Sequence, residues 1–207
     1  MLGIHTAADT RPRASTKPTA EDGPEPASAS APRPYDPLMT DTPLEGTPDG
    51  FARIASHLDY PMFVLTAFDG EERSGCLIGF ATQSAIDPAR FFVALSNKNR
   101  TYRIAHASEH LAVHVLTEAN RDLASLFGEH SGDDIDKFGR CAWREGPYGL
   151  PILDDAPAWF VGRILGHSEI GDHGGFLLDP ERGDVRGDLD GLLTFAKVSD
   201  LEAGHGA

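Results

Sequence analysis

Cysteine is nearly absent: Cys76 and Cys141 are the only two in 207 residues. That excludes a disulfide-stapled scaffold and a zinc site of the CxxC type. Two isolated thiols predict a reducing compartment, and a cytoplasmic setting is the expectation. Positive charge is also scarce. Eighteen Lys and Arg stand against 32 Asp and Glu, for a net charge of −14. A nucleic-acid surface needs the opposite sign, so DNA and RNA are not expected partners. No apolar run approaches the roughly 20 residues of a membrane-spanning helix, so no membrane role is expected. Neither GxGxxG nor GxxxxGK[ST] occurs, which removes a Rossmann unit and a P-loop.

What is present begins with a biased tail. Residues 1–44 hold 24 Pro, Ala, Ser or Thr residues, including eight of the fifteen prolines. Such a segment buries too little apolar surface to offset its ordering entropy, and disorder is expected. It lacks the apolar core of a secretory signal. Met39, just before the first patterned segment, is a candidate physiological start. Residues 45–207 read as one domain.

That domain opens on a helix signal. Thr47 can cap it, Pro48 suits its first position, and Phe51, Ile54, Ala55 and Leu58 share one face. "PMFVLTAF" (61–68) reads as a strand, and Asp69-Gly70 as the turn to a return strand from Ser74 to about Thr82. Strands are expected at Phe91–Leu95 and Leu111–Leu116, with a short helix from Asn99 to Ser108 between them. A second helix carries Leu123, Leu126 and Phe127. Residues 128–150 read as loop. Pro157–Ile170 and Gly174–Leu178 read as an antiparallel pair, and Leu192–Lys197 as a last strand. Six or seven strands with two or three short helices predict a mainly β, antiparallel barrel.

Two polar stretches interrupt the apolar pattern. In "GFATQSAIDP" (79–88), the run Ala81-Thr82-Gln83-Ser84-Ala85 is small or polar. Small residues let a flat body approach a strand backbone. Ten residues on, Ser96-Asn97-Lys98-Asn99-Arg100-Thr101 joins a strand to a helix start. Amide groups there, with hydroxyls and two cations, favour an anion. Together they suggest a planar polar ring and a phosphate. The residues alone also allow both to be ordinary polar turns. Other clusters lead elsewhere. His106, His110 and His114 recur every four residues but cross from helix to strand, so no metal is expected. Gly132-Asp133-Asp134-x-Asp136 lacks the rest of a calcium loop. Ser84 and Ser125 have no nucleophile-elbow context.

The ordered series "PMFVLTAFDG…SGCLIGFATQSAIDPARFFVALSNKNRTYRIAHASEHLAVHVL", "RDLASLFGEHSGDDIDKFGRCAW", "GPYGLPILDDAPAWFVGRIL" and "GDHGGFLL" resembles the flavin reductase-like, FMN-binding split-barrel family over about residues 57–180. The resemblance implies a homodimeric split barrel with FMN or FAD near the subunit interface. It implies hydride transfer from NADH or NADPH to flavin, with reduced flavin passed to a separate monooxygenase. A flavin-binding or storage protein of the same fold is the alternative. By the same resemblance Gly79, Phe80, Ala81, Thr82, Gln83 and Ser84 lie along the isoalloxazine ring. Ser96, Asn97, Lys98, Arg100 and Thr101 meet the phosphate. Lys137 and Phe138 form a basic-aromatic pair near the flavin, and His173 stands by the nicotinamide as the catalytic residue. The tyrosine-bearing C-terminal strand common in the family is not evident in "TFAKVSDLEAGHGA".

Overall fold

A computed structural model describes residues 49–130, 132–201 and 204. The tail, the candidate start at Met39 and the cap at Thr47-Pro48 lie outside them. Seven strands form one antiparallel sheet: β1 (Phe63–Phe68), β2 (Arg73–Ile78), β3 (Ala81–Ile86), β4 (Ala89–Ser96), β5 (His110–Val115), β8 (Ala158–Glu169) and β9 (His173–Val185). Their order is β2-β1-β5-β8-β9-β4-β3. The short strands β6 (Trp143–Glu145) and β7 (Pro151–Leu153) pair separately. The helices are α1 (Gly50–Ala55), α2 (Arg100–Ala107) and α3 (Arg121–Gly128). The mainly β, antiparallel expectation therefore holds. Among the described residues, no helix is long and apolar enough to cross a membrane.

Strand alternation builds the two larger of three core clusters. Phe63, Leu65 and Ala67 of β1 enter one cluster with Leu111, Val113, Val93, Leu95, Phe176 and Leu178. The intervening Met62 and Val64 enter another with Leu123, Ala124 and Phe127 of α3. Successive side chains of a strand point to opposite faces, so an all-apolar strand is covered on both. Each fully buried Leu or Phe contributes about 1.5–3 kcal/mol. The β1–β2 turn is set by Asp69, whose Oδ1 accepts the Glu71 and Glu72 amides at 2.9 and 2.8 Å. Gly70 takes φ +103° there, a region glycine enters without steric cost.

The sheet departs from the sequence reading in several places. The return strand does not run from Ser74 to Thr82. It stops at Ile78, and Gly79 and Phe80 carry the chain from one edge strand, β2, to the other, β3. Two residues span about 7 Å, so the two edges of the sheet are drawn together at this corner. β3 is an edge strand, which accounts for its small and polar side chains. The α1 face is not buried: Phe51 is 77% exposed and Ile54 63%. Periodicity sets which residues share a helix face, not what covers it. Residues 128–150 are not all loop, since they include β6. Leu192–Lys197 forms no strand. Isolated bridges tie Leu192 to Thr117 and Thr194 to Pro61 before a 3₁₀ turn.

The three spaced histidines separate as expected. His106 sits on α2 and His110 at the start of β5, while His114 is wholly buried within β5. Its Nδ1 meets the Val64 carbonyl at 3.0 Å, and its Nε2 accepts the Leu153 amide at 3.1 Å. The ring is therefore a neutral tie between β5, β1 and β7. Burial pushes its pKa down from 6.5 to about 4. Below pH 6.5 the unfolded chain binds a proton that the folded chain refuses, so stability falls as pH drops from 6.5 toward 4. The loss should approach roughly 3 kcal/mol. Urea unfolding of wild type and His114→Gln across this range should show a shallower pH slope in the variant. Parallel slopes would assign the acid sensitivity to other groups.

Candidate functional site

The β2–β3 corner opens onto a cavity of about 320 Å³. Its apolar wall includes Met62, Cys76, Leu77, Ile78, Leu95 and Phe127. Burial raises the Cys76 thiol to about 11, so it stays protonated and serves as wall. The polar lining is Ser96, Lys98, Asn99, Arg100, His130 and His173. In a chain of net charge −14, no Asp or Glu lines this cavity among the described residues. Such a wall favours a ligand with an apolar body and negative charge.

Local structure places each group. Asn99 caps α2 by accepting the Thr101 amide at 2.9 Å, the geometry a helix start requires. Lys98 stands just before that cap. Ser96, the last residue of β4, is paired with His173, the first of β9. The Asn97 amide donates to the Asp172 carbonyl at 3.0 Å, which locks the two turns side by side. His173 Nδ1 lies 2.7 Å from Asp172 Oδ1. That hydrogen bond holds the Asp172 carboxyl below its usual range. The carboxylate engages Nδ1 and so fixes the ring at the cavity lining. The His173 ring packs edge-on against Phe80, with centroids 5.2 Å apart.

The residues singled out in the sequence divide into groups. Gly79, Phe80, Ser96, Lys98, Arg100 and His173 are brought together on the lining. Ala81, Thr82, Gln83 and Ser84 lie just beyond it on β3, and Thr82, Gln83 and Ser84 are exposed. The Phe80 carbonyl accepts the Ala94 amide at 2.8 Å. By the alternation of an antiparallel ladder, the backbone groups of Ala81 and Gln83 then face away from β4. Arg100 touches the cavity, but its guanidinium is engaged by Glu72 at 2.9 Å and the Gly132 carbonyl at 2.7 Å. The Thr101 side chain is 1% exposed and shares a 2.9 Å hydrogen bond with Ser74; it ties α2 to β2. Asn97 presents its backbone to Asp172 and is not on the lining. Lys137 and Phe138 are buried off the lining. Lys137 Nζ donates to the Gly75 and Phe127 carbonyls at 3.1 and 3.2 Å, which braces β2 against α3.

Comparison with known proteins places the chain in a family. The model of the flavin reductase like domain matches residues 55–200. The chain belongs to the flavin reductase like domain family. A relative from Pseudomonas aeruginosa, named the 4-hydroxyphenylacetate 3-monooxygenase reductase component, is 28% identical over 155 residues, 74% of this chain and 91% of its own. Another, the FMN reductase (NADH) RutF of Stutzerimonas stutzeri, is 28% identical over 125 residues, 60% of this chain and 69% of its own. A flavin reductase domain protein from Arthrobacter sp. FB24 shares the fold at TM-score 0.64 and 21% identity, over 71% of this chain and 89% of that one. The chain spans about half or less of the length of the first curated relatives it matches.

The site suits the flavin this family is named for. An apolar wall, cations without acids and outward backbone groups on an edge strand match a heteroaromatic ring with a polar edge and a phosphate. Sequence reasoning missed Tyr60, His130 and Phe195, which also line the cavity. Tyr60 and His130 come from connecting segments, and Phe195 opens the 3₁₀ turn that stands where a last strand was expected. Tyr60 explains Gly79: a Cβ there would overlap the Tyr60 ring and reach Met62 Sδ at 3.0 Å. Gly79→Ala should therefore lower stability by roughly 1–3 kcal/mol. Adding Tyr60→Ala should recover part of the loss, because the two sites are in contact. Strictly additive losses in thermal melting would show that the overlap is relieved in another way.

Proposed function

We propose that this chain is an NAD(P)H-dependent flavin reductase that takes a hydride from NADH or NADPH to FMN or FAD and delivers reduced flavin to a separate monooxygenase. The observation that carries this reading is the acid-free cavity at the β2–β3 corner, basic at its rim and apolar in its wall, in a chain of this family. The names of its relatives support it, since one is the reductase component of a monooxygenase and another an NADH-using FMN reductase. A split barrel and a homodimer belong to the same reading. The two-residue link between the edge strands β2 and β3 supports the first, and the exposed Phe80 at the cavity and Ile86 at the far end of β3 support the second. A cytoplasmic setting accords with the two free cysteines.

Bound flavin would supply the two-electron chemistry. The protein supplies binding, orientation and electrostatics. The Ala81 carbonyl and the Gln83 amide, on the outward side of β3, would meet the polar edge of the ring, while the Ala81 amide is held by the Gly79 carbonyl at 2.9 Å. Ser96, Lys98 and the start of α2 would hold the phosphate. Donors fixed at the ring edge stabilise negative charge that develops on reduction, because they need no reorganisation. His173, oriented by Asp172, would position the nicotinamide carboxamide. The apolar wall of Met62, Leu77, Ile78, Leu95 and Phe127 would shield one side of the ring from water.

The deciding experiment is direct. The purified protein is titrated with FMN and FAD, then given NADH or NADPH with excess flavin while nicotinamide oxidation is followed. Turnover supports the reductase. Bound flavin without turnover would replace it with the storage reading, and absence of flavin binding would remove both. Lys98→Ala should weaken FMN several-fold more than riboflavin, in line with about 1.5–3 kcal/mol for a hydrogen bond to a charged group. Equal losses for the two ligands would move the phosphate elsewhere. His173→Ala should lower nicotinamide oxidation by about tenfold or more while leaving the FMN dissociation constant within a factor of about two. An unchanged turnover number would take His173 out of the reaction.

A further inference from the structure

The cavity contains an aromatic row that one flavin ring does not account for. His173 packs on Phe80, Phe80 on Tyr60, and Tyr60 on Phe195, with centroids 5.2, 6.0 and 5.1 Å apart. The last pair is stacked, with 20° between the planes. Phe80 is 55% exposed and Phe195 39%, yet both belong to the cavity lining. The Tyr60 and Phe195 pair is built rather than incidental. The Phe195 amide donates to the Tyr60 carbonyl at 2.9 Å, and the Met62 amide donates to the Leu193 carbonyl at 2.8 Å. Asp59 Oδ1 accepts the Ala196 amide at 2.9 Å. Opposite Tyr60, position 79 has no side chain, and any Cβ there would displace the ring. Preorganised aromatic faces of this kind bind flat bases with little ordering cost.

The row has two ends of different chemistry. At one end, His173 stands beside Ser96 and near Lys98, where ring chemistry and a phosphate belong. At the other end, Tyr60 and Phe195 put neither an ionised group nor a reactive side chain on the lining, and Asp59, engaged by the Ala196 amide, is not part of it. Apolar rings stack on any heteroaromatic base. We propose that Tyr60 and Phe195 form the platform for the adenine base of a dinucleotide, whose other end lies at His173. This inference rests on the proposed flavin reductase function. The adenine could come from FAD or from the nicotinamide dinucleotide, and the two have the same base. The platform makes this chain selective for dinucleotides over mononucleotides.

Three variants test it: Phe195→Ala removes the ring, Phe195→Leu keeps apolar bulk without the π-face, and Phe195→Tyr keeps the ring. Two ratios are measured. The first is FAD against FMN dissociation constants, from flavin fluorescence. The second is KM for NADH against KM for reduced nicotinamide mononucleotide, which lacks the adenine. Loss of a base stack should move one ratio by about tenfold in Phe195→Ala and Phe195→Leu, with Phe195→Tyr close to wild type. A change in the FAD ratio assigns the base to flavin, and a change in the NADH ratio assigns it to the hydride donor. If FMN still binds and both ratios stay at their wild-type values, the platform is overturned while the reductase reading stands. Loss of all flavin binding in the wild-type protein would instead overturn the reductase reading itself.

Discussion

The fold turns on a two-residue crossing. Gly79 and Phe80 carry the chain from β2 to β3, the opposite edges of a seven-stranded sheet. A chain this short can do so only if the ends of those two edge strands approach each other. Phe63, Leu65, Val93, Leu111, Val113 and Phe176 of the sheet share one core. The cavity sits at the corner where the chain crosses. Glycine is required there because Tyr60 occupies the space a Cβ would need.

The site is assembled from turns that the sheet brings side by side. The β4 end, the α2 start and the β8–β9 turn come from different parts of the chain. They meet through the Ser96 and His173 pairing and the Asn97 amide on Asp172. Acids are kept off the cavity lining while Glu72 and Asp133 hold Arg100 from outside it. Lys137 and Thr101, polar but buried, brace β2 against α3 and α2. Polar side chains near a site thus divide into those that face a ligand and those that hold the wall. Hydrogen-bond partners distinguish them; residue type does not.

Much of the architecture was legible as pattern. Runs such as "FFVAL" and "LAVHVL" marked buried strands, Asp69-Gly70 marked a hairpin, and Asn99 marked the start of α2. These signals are local, and the structure retains them. Exposure of the α1 face was not legible, because periodicity carries no information about a neighbour. The break at Gly79 was hidden for the same reason. A strand that ends to change edges looks, residue by residue, like one that continues.

The sequence by itself determined the central strands, the helices, the antiparallel class and the polar turn at 96–101, because hydrophobic period, caps and turn residues act over a few positions. Only the tertiary structure decided which polar groups face the cavity. It turned Thr101 and Lys137 inward, left Lys98 and His173 on the lining, and added Tyr60 and Phe195 from segments 135 residues apart. Those outcomes depend on which strands are neighbours, and strand order is set by long-range packing that no short window of sequence contains.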